Sequence, residues 1–261
     1  MQDNKPSVQE DLERVGITNL RTIVMTRWKG NKYTFVPTIE LTIDLDKKRR
    51  GAHMSRLIES ITETIEEEIE VRHSSIEEVG KAILEKLSEK HPHRKAQISM
   101  DTELVVPRKT PKTKKTTMET YDVCVKVSYV DGAYRKTLKV SVIGNTVCPH
   151  AMERTGGRSH IQRAEGMLEI ETAYDNPIAL EDMIDCVEGA FPSEVYALLK
   201  TEDEIYVVEK MFSNPKFVED VTREILDSAR KRFAGCRINV KTVSQESIHR
   251  HDVVAEGSAA S

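Results

Sequence analysis

Hydrophobic and polar residues alternate strictly along part of the first half of the chain. Between Tyr33 and Leu45, the residues Ile39, Leu41 and Ile43 fall on one side, and polar residues separate them. A period of two residues predicts an antiparallel strand that is buried on one face. Similar patterns predict further strands at residues 20–28, 97–106, 121–129, 134–143, 160–172 and 236–243.

In other segments, apolar residues recur at every third or fourth position, which predicts amphipathic helices. Ser55 is the predicted N-cap of the first helix. A second helix begins at Ser74 or Ser75 and stops at His91-Pro92, because the residue before a proline disfavours helical backbone. Three more helices are predicted to start in the second half, at Pro177, at Asp203 or Glu204, and at Asn214-Pro215.

The two halves of the chain follow the same order of strands and helices, although no sequence identity links them. Asp131-Gly132 is a strong turn signal between them. The pattern predicts an α+β protein with a polar, irregular segment at residues 1–19. A first structural unit then covers residues 20–131, and a second covers residues 132–261.

Composition narrows the class of protein. The chain has 261 residues, of which 38% are hydrophobic and 31% charged, so we expect a soluble protein with an ample core. No apolar run is long enough to cross a membrane, and the polar start is unlike a signal peptide. The net charge of −4 and the few aromatic residues argue against nucleic-acid binding, including through the basic residues 94–115.

Four cysteines are scattered without the spacing of a disulfide framework. This predicts free thiols in a reducing cytoplasm. Cys124 and Cys236 lie in strand-like runs and are interpreted as small packing residues.

The stretch from Asn145 to Arg163 concentrates metal-binding chemistry between two predicted strands. It carries a thiol, Cys148, and two imidazoles, His150 and His160. These groups are ligands of borderline divalent metals, and Gly156-Gly157 would let a loop bring them together. The spacing suggests a metal site, although sulfur and imidazole pairs also occur in loops that bind nothing.

Four motifs, in order along the chain, resemble those of the type IB GTP cyclohydrolases. They are Ser7-Val8-Gln9, Arg50-Gly51-Ala52-His53-Met54-Ser55-Arg56, Cys148-Pro149 with Ser159-His160-Ile161-Gln162-Arg163, and Glu246-Ser247-Ile248-His249. Two departures are that Ser7 replaces the usual Asp and that His150 replaces the usual second Cys. The resemblance implies two tandem tunnelling-fold units, with antiparallel sheets and helices on one face. Their sheets would join across the subunits of a homodimer or homotetramer into a barrel.

The resemblance also implies the metal ligands. Cys148 and His160 are two of them, and the segment Leu198-Leu199-Lys200-Thr201-Glu202-Asp203-Glu204 would supply a carboxylate, Glu204, with Glu202 as the alternative. A thiolate, an imidazole and a carboxylate suit Fe(II), Zn(II) or Mn(II). The archaeal branch of the family favours Fe(II). His150 is interpreted as a second-shell group, a spare ligand or a polar loop residue.

Further site residues come from the same resemblance. Glu219, in Asn214-Pro215-Lys216-Phe217-Val218-Glu219-Asp220, would accept hydrogen bonds from N1–H and the amino group of guanine. Taken alone, an acid there is also what a helix macrodipole favours. His249 is the candidate proton shuttle, together with Cys148 as a catalytic group, and His251 is the alternative to His249.

The phosphates of a nucleotide require cations, and several motif residues could supply them. Arg56, Arg163 and Lys200 are the candidates, and His53 would complete the site from the other half or from a neighbouring subunit. The basic turn at residues 47–50 is a weaker candidate, and the chain has no Walker-type phosphate loop.

The leading hypothesis is a metal-dependent GTP cyclohydrolase that releases formate from the guanine ring. The archaeal branch yields 7,8-dihydroneopterin 2′,3′-cyclic phosphate for methanopterin, and the bacterial branch yields 7,8-dihydroneopterin triphosphate for folate. Two alternatives stay open. One is an enzyme that uses Cys148 as a covalent nucleophile, and the other is a non-catalytic binding module with a structural metal held by Cys148, His150, His160 and an acid.

Overall fold

A computed structural model describes residues 2–28, 31–67 and 74–260 of the chain. The described residues form ten strands and six helices. The strands are β1 Leu12–Arg21, β2 Val24–Trp28, β3 Asn31–Phe35, β4 Thr38–Leu45, β5 Lys95–Lys109, β6 Thr116–Val130, β7 Ala133–Val147, β8 Ile161–Ala173, β9 Arg237–Gln245 and β10 Val253–Ala260. The helices are α1 Met54–Glu67, α2 Ile76–Lys90, α3 Pro149–Thr155, α4 Leu180–Glu188, α5 Thr201–Ser213 and α6 Val218–Arg232.

Eight of the strands form one sheet in the order β1-β4-β5-β6-β7-β8-β9-β10. The pairs β1–β4, β4–β5, β8–β9 and β9–β10 are antiparallel, and β2 and β3 pair separately as an antiparallel hairpin. A large antiparallel sheet with helices confirms the predicted α+β class. Among the described residues, no helix is both long enough and apolar enough to cross a membrane.

The chain divides into two compact units that interleave along the sequence. One comprises Met1–Glu103, Cys124–Thr137 and Ala173–Asp175, and the other comprises Leu104–Val123, Leu138–Thr172 and Asn176–Ser261. The long strands β5, β6 and β7 contribute residues to both units. This division differs from the predicted boundary between residues 131 and 132.

Each unit has its own apolar core. In the first unit, α1 packs against α2, and their buried side chains include Leu57, Ile61, Ile83 and Leu87. In the second unit, α6 packs against β9 and β10, and its buried residues include Val221 and Ile225. Most of the apolar residues that recur at helical spacing are therefore buried, although Ile58 of α1 is 44% exposed.

The strands differ from the prediction in four places. The single strand predicted at residues 20–28 is divided between the end of β1 and β2. β1 begins at Leu12, inside the segment expected to be irregular, because it pairs with β4. The predicted strand from Tyr33 to Leu45 is interrupted between β3 and β4 at Pro37, which has no N–H to donate. The prediction did not include β10, which pairs along its whole length with β9.

All four cysteines are free. Cys124 and Cys236 are buried, with 4% and 3% of their surface exposed, which confirms their interpretation as packing residues. Cys186 is also buried, and Cys148 alone is half-buried. The one cysteine within reach of solvent is therefore the one in the motif.

Candidate functional site

The segment after β7 brings Cys148 and His160 to the same place. Cys148 is the N-cap of α3, and its sulfur accepts a hydrogen bond from the Ala151 N–H at 3.4 Å. The helix ends at Gly156 and Gly157, whose φ angles of 70° and 102° are ones that glycine adopts without strain. The chain then returns, and the Ser159 hydroxyl donates to the carbonyl of Cys148 at 2.9 Å. The predicted glycine loop therefore joins the two candidate ligands, and α3 is an element that the sequence analysis missed.

A cavity of about 260 Å³ lies beside these two residues in the second unit. It is lined by Thr146, Cys148, His160, Gln162, Lys216, Phe217, Val218, Glu219, Glu246, His249, His251 and Val253. Residues from three separate motifs therefore meet in one place. The imidazole rings of His249 and His251 stack with their centroids 5.2 Å apart, and both side chains are exposed.

A buried polar network holds the ring of His160. The side-chain amide nitrogen of Gln162 donates to Glu246 Oε2 at 2.8 Å, and a second hydrogen bond joins it to His160 Nδ1. The Ser244 hydroxyl donates to Glu246 Oε1 at 3.1 Å and lies 2.8 Å from the Thr146 hydroxyl. With Nδ1 engaged, Nε2 is the nitrogen of His160 that is left for a ligand.

The sequence analysis gave no role to Gln162 or Glu246, although both lie inside quoted motifs. A signal was present, because Gln162 is in phase with Ala164 and Leu168 on the buried face of β8. A polar side chain on such a face needs hydrogen-bond partners. One partner, His160, is two residues away, but the other, Glu246, comes from the segment that follows β9.

Glu219 lies in the first turn of α6, where it lines the cavity and is exposed. The chain before it is firmly held. Lys216 is buried, and its ammonium group donates to the Ala190 carbonyl at 2.8 Å and to Glu224. The Val147 N–H donates to the Lys216 carbonyl at 3.3 Å, which ties the end of β7 to the start of α6.

Glu204 and Glu202 lie on α5, and both are exposed and outside the lining of the cavity. Between them, Asp203 is completely buried. Its carboxylate accepts hydrogen bonds from the backbone N–H groups of Lys112 and Thr113 at 2.8 and 2.9 Å, and from the Thr113 hydroxyl at 2.6 Å.

Burial alone would raise the pKa of Asp203, but the hydrogen bonds from Thr113, Lys112 and Lys200 outweigh it and hold the pKa well below its usual range. The sequence analysis considered only the acids on either side. Asp203 is the third residue of the helix and accepts from the Lys200 N–H at 3.2 Å, a capping position that could have drawn attention to it.

The helix that carries these acids packs beside the cysteine. Val207 and Met211 of α5 form an apolar cluster with Val147, the residue that precedes Cys148. Within the described residues, however, no three His, Cys, Asp or Glu side chains are close enough together to hold a metal ion. The donor chemistry of Cys148 and His160 fits a borderline divalent metal, and this chain positions two donors of a set that normally has three or four.

The candidate phosphate-binding residues lie outside the cavity lining. Arg163 is exposed on β8, opposite Gln245 of β9, and Lys200 is exposed at the N-cap of α5. In the first unit, His53 Nε2 lies 3.3 Å from Asp3 Oδ1, and Arg56 donates to the carbonyl of Lys90 at 3.2 Å. His150 is exposed on α3.

Solved structures show the fold class of the protein. Uricase from Arthrobacter globiformis superposes with a TM-score of 0.64 at 6% identity, over 98% of this chain and 96% of that one. Urate oxidase from Bacillus sp. TB-90 gives a TM-score of 0.56 at 8% identity, over 96% of this chain and 100% of that one. Identities this low show the fold alone, and that fold is the predicted tunnelling fold.

Sequence comparison identifies the family within that class. The model of the family described as "Type I GTP cyclohydrolase folE2" matches residues 1–255. The relatives include proteins named GTP cyclohydrolase MptA from Thermococcus kodakarensis, 54% identical over 98% of this chain and 97% of that protein, and from Pyrococcus abyssi, 52% identical over the same shares. GTP cyclohydrolase MptA 1 from Methanocella arvoryzae is 32% identical over 98% of this chain and 91% of its own length. The chain belongs to the type I GTP cyclohydrolase family and is an enzyme of that class. Membership confirms the resemblance seen in the motifs and contradicts the alternative of a non-catalytic binding module.

Proposed function

We propose that this enzyme opens the guanine ring of GTP in a metal-dependent reaction, releases formate and forms 7,8-dihydroneopterin 2′,3′-cyclic phosphate as the first step of methanopterin biosynthesis. The observation that supports the proposal is a single cavity in which Cys148, His160, Glu219 and His249 meet. Relatives with more than half of their residues identical carry the name of the archaeal branch.

Glu219 is proposed to bind and orient the base. Guanine presents N1–H and an exocyclic amino group along one edge, and a carboxylate accepts both hydrogen bonds at once. The cavity, at about 260 Å³, is smaller than the roughly 300–1,000 Å³ of pockets that enclose a whole drug-sized ligand. We propose that the base occupies this cavity and that the ribose and phosphates lie beyond its lining residues.

Cys148 and His160 are proposed to hold the metal at the same cavity. A divalent ion there would supply a water-derived nucleophile at neutral pH for attack on C8 of guanine. Fe(II) is the favoured ion, and Zn(II) and Mn(II) are the alternatives that the donor set also accepts. Glu204 is the proposed third ligand, with Glu202 as the alternative. Both follow Lys200 on the helix packed beside Val147.

His249 is proposed to give and take the protons of ring opening. Its exposed imidazole lines the cavity and stacks on His251, which is the alternative for the role. Imidazole titrates close to neutral pH, so one group can act as both acid and base.

Binding of the triphosphate is assigned to His53, Arg56, Arg163 and Lys200. None of these lines the cavity, so phosphates that extend beyond the lining residues would meet them outside it or on a second copy of the chain. A homodimer or homotetramer whose sheets join into a barrel is therefore part of the proposal.

The test is product analysis after incubation of the protein with GTP and Fe(II) in the absence of air. Formate and the cyclic phosphate are the expected products. Formation of the triphosphate would assign the chain to the bacterial branch, and the absence of formate would overturn the proposal.

Metal analysis separates the roles of the candidate ligands. Cys148→Ser and Glu204→Gln should each lower the amount of bound metal. Glu202→Gln changes an exposed acid on the same helix, one residue before Asp203, and serves as the matched control that should leave the metal content unchanged. If Glu202→Gln lowers metal content and Glu204→Gln does not, the assignment of the two acids is reversed. If Cys148→Ser abolishes turnover without changing metal content, Cys148 is instead a covalent nucleophile.

A further inference from the structure

Phe217 is an aromatic residue at the cavity to which no role has been assigned. The chain has five phenylalanines. Phe35, Phe191 and Phe233 are buried and Phe212 is partly buried, but Phe217 is 41% exposed. A single exposed apolar side chain is common on protein surfaces, so exposure alone carries no argument. The argument comes from its position, because Phe217 lines the same cavity as Glu219.

The backbone of Phe217 is rigidly held. Its N–H donates to Asp220 Oδ2 at 3.2 Å, and its carbonyl accepts from the N–H groups of Asp220 and Val221 at 3.1 and 3.2 Å. The residues on either side, Lys216 and Val218, are buried. The start of α6 is thus anchored in the core, while the phenyl ring between the two anchors borders the cavity.

Phe217 provides the apolar aromatic ring of the lining, and the other flat rings there are the imidazoles of His160, His249 and His251. Most of the lining residues present polar groups, and Val218 and Val253 are the only other apolar side chains apart from the thiol of Cys148. A purine has a hydrogen-bonding edge and two flat faces. A carboxylate can hold the edge but leaves the plane of the ring free to tilt, and an aromatic ring against one face removes that freedom.

We propose that Phe217 is a substrate-binding residue on which the guanine ring of the substrate stacks, while Glu219 of the same helical turn holds its edge. This inference rests on the proposed function, since it requires a guanine nucleotide in this cavity. Together the two residues would fix both the position and the plane of the base, and so the direction in which C8 points.

The test compares the steady-state kinetics of the metal-loaded enzyme with those of three variants. Phe217→Ala should raise KM for GTP by about 10- to 100-fold, the usual effect of deleting a base-stacking ring. Phe217→Tyr, which keeps the ring, should retain a KM close to that of the natural enzyme. Phe217→Leu, which keeps apolar volume without a flat face, should lie between them and serves if the alanine variant does not fold.

Two controls separate stacking from general damage. Ile143→Ala removes a side chain of the same 41% exposure, on β7 and outside the cavity lining, and should leave KM unchanged. Inorganic triphosphate, used as a competitive inhibitor, carries no base, so Phe217→Ala should not change its inhibition constant.

A KM for Phe217→Ala equal to that of the Ile143→Ala control would overturn the inference. Equal losses of affinity for GTP and for inorganic triphosphate would do the same, because they would indicate a distorted site. If the natural enzyme neither binds nor turns over GTP, the proposed function fails first, and the assignment of Phe217 falls with it.

Discussion

At the scale of single residues, Glu219 is proposed to recognise the base. Glu219→Gln keeps the size of the side chain but replaces one acceptor oxygen with a donor, which then faces a donor of the guanine edge. A charge-assisted hydrogen bond contributes about 1.5–3 kcal/mol, so kcat/KM for GTP should fall by about 10- to 100-fold. Steady-state kinetics measure the effect.

Glu209→Gln is the matched control for this substitution, because Glu209 is an exposed acid on α5 outside the cavity lining. Its kinetics should equal those of the natural enzyme. The melting temperatures of both variants show whether the fold is kept. Unchanged kcat/KM in Glu219→Gln would contradict the role of Glu219 in holding the base.

His91, in the first unit, is expected to make stability depend on pH. Only 1% of its surface is exposed, and its Nδ1 lies 3.0 Å from the Pro92 carbonyl. Burial lowers the pKa of His91, the positive charge of Arg49 adds to this effect, and the hydrogen bond to Pro92 opposes it. Around and below the ordinary histidine pKa of about 6.5, the unfolded chain therefore binds more of this proton than the folded chain does.

Stability should accordingly fall as the pH decreases from about 7 to 5, by at most about 1.4 kcal/mol per pH unit from this one group. His91→Gln should flatten that slope, whatever it does to stability at neutral pH. Denaturant unfolding at three pH values measures it, and His150→Gln, at an exposed position on α3, provides the control. A slope that is the same in both variants would rule out His91 as its source.

Candidate site residues could be recognised from the sequence because they lie inside its motifs. Cys148, His160, Glu219 and His249 were all predicted, and they line one cavity. Gln162 and Asp203 could not be assigned a role, because each acts through partners more than 80 residues away in the chain. Periodicity indicates which side chains are buried, but not which distant group they contact.

At the scale of elements, Asp203 fastens the start of α5 to the turn between β5 and β6. Asp203→Asn should lower the melting temperature, because an amide cannot accept the four hydrogen bonds that the carboxylate receives from Lys112, Thr113 and Lys200. Amide hydrogen exchange should become faster in residues 110–115 and in the first turn of the helix.

The neighbouring Glu202→Gln tests whether loss of charge alone is responsible. Glu202 is exposed, so its substitution should change neither the melting temperature nor the exchange rates. If exchange in residues 110–115 is equally slow in both variants, Asp203 does not hold the turn in place.

Helices and central strands were predicted better than edge strands. Ser75, one of the two serines predicted to start α2, caps the helix by accepting a hydrogen bond from the Glu78 N–H. The helix ends at His91, as predicted. β1 and β10 were missed because their sequences lack a sustained alternation of apolar and polar residues. Their backbone hydrogen bonds come from β4 and β9, which supply the pairing that the local sequence does not indicate.

At the scale of the whole molecule, the described part of the sheet ends in two edge strands, β1 and β10. Unpaired strand edges readily join to other strands. The proposed homo-oligomer would use such edges to join sheets of neighbouring copies. Proline substitutions in β10 can test this, because proline removes the N–H that a strand donates to its neighbour.

Adjacent residues of a strand direct their N–H groups to opposite sides, so Ser258→Pro and Ala259→Pro form a matched pair. One of them removes an N–H that faces β9 and should lower the melting temperature. The other removes an N–H on the free side, and should keep the fold while shifting the protein to a smaller assembly in sedimentation equilibrium. If the variant that keeps its melting temperature also keeps the assembly of the natural protein, β10 does not join the copies, and any barrel must close through a different edge.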